Sequence, residues 1–156
     1  MNTHNTDEDL VRALYNKLVE QWNKRSATGF AGLFVSNGSM VGFDGSQLNG
    51  QSQIYEVFAD IFGNFPTAAY ITIIKDVRLL SPDSAVLLAV AGMVPQGADD
   101  ISPAVNAVQS LTAVKELGQW RIALFQNTPA AFHGRPELGE QLSSDLRFAL
   151  QLSKSN

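Results

Sequence analysis

The chain has 156 residues, enough for one domain with a sizeable core. Hydrophobic residues make up 45% and charged residues 17%, the balance of a globular chain rather than a disordered one. The formal charge is -4 and the eleven Lys and Arg residues are scattered, which argues against nucleic acid or an anionic membrane as partner.

There is no cysteine, so disulfides, thiolate zinc sites and cysteine nucleophiles are excluded. The opening "MNTHNTDED" has neither a basic n-region nor an apolar h-region, so no secretory signal is expected. The longest apolar run, 85–95, is far too short to span a bilayer. The expectation is a soluble cytoplasmic protein with one domain over 1–156, residues 1–5 forming a loose tail.

Thr6 can cap a helix whose first turn, Asp7-Glu8-Asp9, suits the positive end of the helix dipole. Val11, Leu14, Leu18 and Trp22 follow at helical spacing, and the helix should end near Arg25. A second, short helix is expected over 28–34, anchored by Phe30, Leu33 and Phe34 and stopped by Asn37-Gly38. Residues 39–43 read as a short strand closed by an Asp44-Gly45 turn. From Gly50 a third helix starts. Ile54, Val57, Phe58, Ile61, Phe62 and Phe65 keep one face apolar, and Gly63-Asn64 with Pro66 end it.

The remainder is mostly strand. Residues 70–80 are rich in β-branched side chains, and Ser81-Pro82-Asp83-Ser84 is a turn signal. Residues 85–94 are apolar at almost every position, as in a central strand covered on both faces. A loop over 96–103 leads to an alternating strand over 104–117, a tight Gly118-Gln119 connection and a last strand over 120–126. Pro136 suits the first position of a final helix over 136–152. Helices first, then a meander of strands joined by short turns, predicts an α+β fold with a curved antiparallel sheet wrapped around the N-terminal helices. The apolar central strand suggests a covered outer face, hence a homodimer through the sheets.

The opening "WNKRSATGFAGLFVSNGSMVGFDG" followed by "LNGQSQIYEVF" resembles the nuclear transport factor 2-like superfamily. The closing "VKELGQWRIALFQNTP…GRPE" is similar to its SgcJ/EcaC branch, grouped with SnoaL-like and DUF4440 proteins. The resemblance runs from about Asp7 to Leu150, and "GQWRIALFQNT" is its most specific part. It implies a cystatin-like cone, open at one end and commonly a homodimer. It fixes no chemistry, because relatives include isomerases, dehydratases, polyketide cyclases and association domains.

Several residues are candidates for a site. One of Gln126 and Asn127 should point into the cone, since adjacent strand residues face opposite sides; the other reading is that both merely end a strand. His133 can serve as an acid or base near neutral pH, or be an ordinary surface histidine. The ketosteroid isomerases of the superfamily carry a base aspartate at a position that falls here on Gly42. Asp44 lies two residues on, either as a shifted base whose pKa an apolar pocket raises or as part of a plain Asp-Gly turn. Their hydrogen-bonding tyrosine falls on Leu18, so chemistry of that type is not expected.

Tyr15, Trp22, Phe58, Phe62, Tyr70 and Met93 either line a ligand cavity or fill the core. Two histidines and two loop aspartates, Asp99 and Asp100, predict no metal site. No nucleotide-binding motif or serine elbow appears, so no cofactor is expected. Three functions compete: a binder of a hydrophobic small molecule, a cofactor-independent proton-transfer enzyme, and an oligomerising association domain.

Overall fold

A computed structural model describes residues 6–155; the expected tail at 1–5, with His4, lies outside the described residues. Helix α1 spans Asp7–Asn23 and starts as its sequence predicts. The Thr6 hydroxyl accepts from the Asp9 amide, and the Asp9 carboxylate accepts from the Thr6 amide, a capping box that satisfies two orphan donors. Its apolar stripe of Val11, Leu14, Tyr15 and Leu18 is buried.

Helix α2, Ala27–Ala31, is shorter than expected, and strand β1, Phe34–Val41, begins where the helix was predicted to continue. Asn37-Gly38 therefore stops no helix. It sits inside β1, where the pairing with the last strand slips between Phe34 and Ser39. A Cβ on Gly38 would lie 3.0 Å from the Ile122 carbonyl oxygen and 3.1 Å from that of Val35, so a glycine is needed for close approach of backbones.

The Asp44-Gly45 turn returns the chain into β2, Gln47–Asn49, a three-residue strand that sequence periodicity is too short to reveal. Helix α3, Gln51–Asn64, follows with Ile54 and Phe58 buried. Strands β3, Ala69–Ser81, β4, Ser84–Val94, β5, Ala107–Glu116, and β6, Gln119–Pro129, form the meander, and α4, Pro136–Lys154, ends it. The β5–β6 loop residues are Leu117 (φ 51°) and Gly118 (φ 78°), one position earlier than expected; two positive φ values make a turn whose twist matches the strands.

The six strands lie in the order β2-β1-β6-β5-β4-β3. The meander strands are antiparallel as expected, and β1, outside the meander, runs parallel to β6. Strand β2, helix α3 and strands β3 to β5 separate those strands in sequence, so a long crossover can join them in parallel. The sheet curls into a half-barrel around the N-terminal helices. Small inward residues, Ala85, Ala89 and Ala91 of β4 and Ala113 of β5, let α1 settle deeply.

The expectation about β4 also needs refinement. Its outer face is covered in part by this chain's own α4, with Leu142 and Leu146 packed near Ile71, Ile73 and Val90. A Cβ on Gly92 would lie 3.1 Å from Leu146 Cδ1, so this glycine lets the helix lie flat on the sheet. Beyond α4, Leu88 and Val108 remain exposed.

At the other end of α1, the Asp7 carboxylate accepts from the Trp120 indole (2.9 Å) and pairs with Lys115 Nζ (3.1 Å). These contacts, the indole first, hold its pKa below the ordinary value. A depressed folded pKa adds stability that is present above the unfolded value and lost as pH falls through the folded one. The melting temperature should therefore drop as pH is lowered below about 4, and Asp7→Asn should flatten that part of the profile. An unchanged acid slope in Asp7→Asn would contradict this role.

Candidate functional site

Between α1, α3 and the inner face of the sheet lies a cavity of about 360 Å³. Its walls are Trp22 from α1, Met40 from β1, Leu48 from β2, Val57, Phe58 and Ile61 from α3, and Tyr70 and Met93 from the paired strands β3 and β4. Phe43, Asp44 and Ser46 from the β1–β2 turn also border it, and Asn127 of β6 supplies an amide. The lining is overwhelmingly apolar, as small-molecule sites generally are.

An aromatic cluster makes one wall rigid. Trp22 packs against Phe58 (ring centroids 5.7 Å), Phe62 (5.5 Å) and Tyr70 (4.8 Å), and Phe30 backs Phe58 at 4.6 Å. The Trp22 indole N–H donates to the Ala68 carbonyl at 2.8 Å, which fixes the ring. Asn23, next in the chain, clasps the edge of β3: its amide donates to the Tyr70 carbonyl and its oxygen accepts from the Tyr70 amide.

The polar part of the cavity belongs to a buried chain of four side chains. The Tyr15 hydroxyl donates to Gln109 Oε1. Gln109 Nε2 donates to Asn127 Oδ1 at 3.3 Å, and Asn127 Nδ2 donates to the Tyr70 hydroxyl at 3.2 Å. All three bonds run in one direction. Tyr70 therefore ends the chain as an acceptor, and its own proton is available to a guest in the cavity. Burial pushes the Tyr70 pKa up to about 12 and raises that of Tyr15 further, so both stay neutral hydroxyls at physiological pH.

The structure separates the expected site residues. Trp22, Phe58, Tyr70, Met93 and Asn127 line the cavity. Tyr15 stands behind the lining as the start of the polar chain, and Phe62 packs behind Trp22 and Phe58. Of the two amides, Asn127 faces inward. Gln126 pairs with Ser110 and Val41 on the other side of the sheet, so its expected place as a ligand contact is corrected by strand alternation. His133 is exposed in the turn before α4 and does not line the cavity, the position of an ordinary surface histidine.

Asp44 does border the cavity, but its carboxylate accepts from the Ser46 amide at 2.9 Å. That bond lowers its pKa, as in the plain Asp-Gly turn and unlike the shifted base. Being exposed, Asp44 pays no desolvation large enough to reverse the shift. Gln109 escaped the sequence reading although a signal existed. It is the one polar residue in the inward register Ala107, Gln109, Leu111, Ala113.

Among the described residues, no group of three or more His, Asp or Glu side chains could hold a metal ion, and no helix is long and apolar enough to cross a membrane.

With this geometry in hand, comparisons with solved structures bear on the fold. A domain with a cystatin-like fold from Nostoc punctiforme PCC 73102 superposes with a TM-score of 0.77 at 22% identity, covering 98% of each chain. The chain has the cystatin-like, nuclear transport factor 2-like fold. A ketosteroid isomerase-like protein from Erwinia carotovora atroseptica SCRI1043 matches with a TM-score of 0.66 at 16% identity, over 82% of this chain and 99% of that one. A protein from Xanthomonas campestris named for the calcium/calmodulin-dependent protein kinase II association domain matches at 0.66 and 18% identity, over 85% and 94%. No family model matches the sequence, and no curated protein matches it. Identities this low establish the nuclear transport factor 2-like fold and leave the chemistry to the site itself.

Proposed function

We propose that this protein binds a small hydrophobic molecule carrying a hydrogen-bond acceptor such as a carbonyl. One observation carries the reading: an apolar cavity of about 360 Å³ in which a one-directional chain of hydrogen bonds ends on Tyr70, leaving its proton for a guest. The volume falls within the usual range for small-molecule sites. A neutral donor whose oxygen is already held by Asn127 is oriented before the ligand arrives, which lowers the entropic cost of binding.

A thermal-shift and titration series with 2-decalone and its parent hydrocarbon decalin tests this. The ketone should stabilise the protein more than the hydrocarbon. Tyr70→Phe should erase that preference, with a roughly tenfold loss in ketone affinity, about 1.4 kcal/mol. A Tyr70→Phe variant that still prefers the ketone as strongly as the parent would sink the assignment of Tyr70.

The second reading, cofactor-independent proton transfer as in an isomerase, dehydratase or cyclase, rests on Asp44 at the cavity border. An ionised carboxylate there can take a proton, but its lowered pKa makes it a weak base. Binding is therefore the better-supported function. Membership of the SgcJ/EcaC branch is part of the same proposal and rests on the resemblance of the "GQWRIALFQNT" block, which forms most of β6. A homodimer through the uncovered sheet face, near Leu88 and Val108, is part of this proposal, as is a cytoplasmic location for a chain without cysteine. The association reading would instead require assembly beyond a dimer, which solution mass reports directly.

A further inference from the structure

Among the described residues that border the apolar cavity, Asp44 is the only one with a charged side chain. Its surroundings place the carboxylate on the cavity side of the β1–β2 turn. Met40 is buried opposite Phe125, on the inward face of β1. Gly42, two residues on, shares that face and also lines the cavity. A Cβ on Gly42 would lie 3.6 Å from Asp44 Oδ1, so the carboxylate stands beside the space that an inward side chain at 42 would fill.

Neither backbone nor packing asks for glycine at 42. Its φ lies outside the left-handed region, and its Cβ would meet only ordinary contacts, the other being the Ser46 carbonyl oxygen at 3.8 Å. What the missing side chain does is leave Asp44 open toward the cavity. The carboxylate is exposed, and the Ser46 amide takes one of its about four acceptor positions. Among the described residues, no Lys or Arg pairs with it. The Ser46 bond also holds its pKa below the ordinary value, so the group is an anion at neutral pH. Asp44 comes from the β1–β2 edge of the sheet and Tyr70 from β3 at the other edge, so a guest that uses both reaches across the curl.

Resting on the reading of this cavity as a small-molecule site, we propose that its guest is a hydrophobic amine: an apolar body with an acceptor at Tyr70 and an ammonium group at Asp44. An ammonium donates charge-assisted hydrogen bonds to a carboxylate. It is costly to bury in an apolar cavity, and Asp44 holds it at the exposed rim, where its head stays wet while the body goes in. The attraction at so exposed a site is modest. The same charge repels an anionic guest, and the two effects add, so the site selects amines over carboxylic acids of the same shape.

Decahydro-2-naphthylamine and decahydro-2-naphthoate are the probes, with 2-decalone as the neutral reference, followed through the Met40 and Met93 methyl signals at neutral pH. The parent should bind the amine roughly tenfold more tightly than the carboxylate at low salt, and the ratio should shrink in about 0.5 M salt. Asp44→Asn keeps an oxygen for the Ser46 amide, so it should fold, and it should lose most of the preference. Gly42→Ala should melt no lower than the parent, since its backbone suits alanine, yet narrow the ratio by placing a methyl between anion and guest. Asp83→Asn makes the same charge change in the exposed turn at the far end of the β3–β4 hairpin from Tyr70, and should leave the ratio as it is. If 2-decalone fails to bind the parent, the cavity reading fails and this proposal with it. If 2-decalone binds, the proposal alone is overturned by a carboxylate that binds as well as the amine, by a full preference in Asp44→Asn and Gly42→Ala, or by an equal loss in Asp83→Asn.

Discussion

Replacing Gln109 with Leu is expected to destabilise the protein by about 2–4 kcal/mol. Gln109 is 1% exposed and bridges the Tyr15 hydroxyl and the Asn127 amide inside the protein. Without it the Tyr15 hydroxyl loses its acceptor and Asn127 Oδ1 loses its donor, each deep in the protein. The added apolar contacts of a leucine offset only part of that loss. Denaturant unfolding of Gln109→Leu, Tyr15→Phe and the double variant measures the coupling. The double variant should be less destabilised than the sum of the two singles, because the hydroxyl that suffers in the first is absent in the second. Additive losses would mean that the two side chains do not depend on one another. The same substitution should weaken ketone binding, because Asn127 is then free to turn away from Tyr70.

Phe58→Ala should cost more, about 3–5 kcal/mol, the usual range for removing a buried phenyl ring. Phe58 is 4% exposed and touches Trp22, Phe30 and Phe62, so no single neighbour can move in to refill the space. For a chain of this size that means a drop in melting temperature of roughly 10 °C or more. Because Phe58 also lines the cavity, the truncation should widen it and let bulkier guests bind. A melting temperature within a few degrees of the parent would show that the aromatic cluster repacks, and that the wall is softer than its geometry implies.

Much of the fold could be read from the sequence wherever a local rule decides the outcome. Thr6 and Asp9 announce the start of α1, the apolar face of α3 shows in its spacing, and the strand turns coincide with Pro82-Asp83 and Gly118. What escaped depends on contacts distant in sequence. Phe34 is buried whether it ends a helix or begins a strand, so its burial could not place the boundary. Gly38 reads as a helix stop until β6 is known to press against it. The parallel pairing of β1 with β6 has no local signature. Neither has the docking of α4 on the outer face, which Gly92 permits by lacking a side chain.

The site divides in the same way. Trp22, Phe58, Tyr70 and Met93 are the large apolar or aromatic residues that composition draws attention to, and they do line the cavity. The choice between Gln126 and Asn127 rested on a strand register that only the partner strand fixes, here through Asn127 opposite Gln109. Asp44 and His133 attracted notice as chemically capable groups. One is engaged by its own turn and the other lies on the surface. Chemical capability in sequence carries no information about burial, and burial decides what a titratable group can do.

The central claim is that the cavity takes up an apolar guest hydrogen-bonded to Tyr70, and the methionines offer a direct way to see it. The chain has three, and two of them, Met40 and Met93, line the cavity from β1 and β4. In protein labelled with 13C at the methionine methyls, titration with 2-decalone should move the Met40 and Met93 signals together along one saturable curve. The same titration of Tyr70→Phe should give a curve shifted roughly tenfold toward weaker binding. If the Met40 and Met93 methyls stay in place while the ketone reaches saturating concentration, the cavity is not a binding site and the account fails.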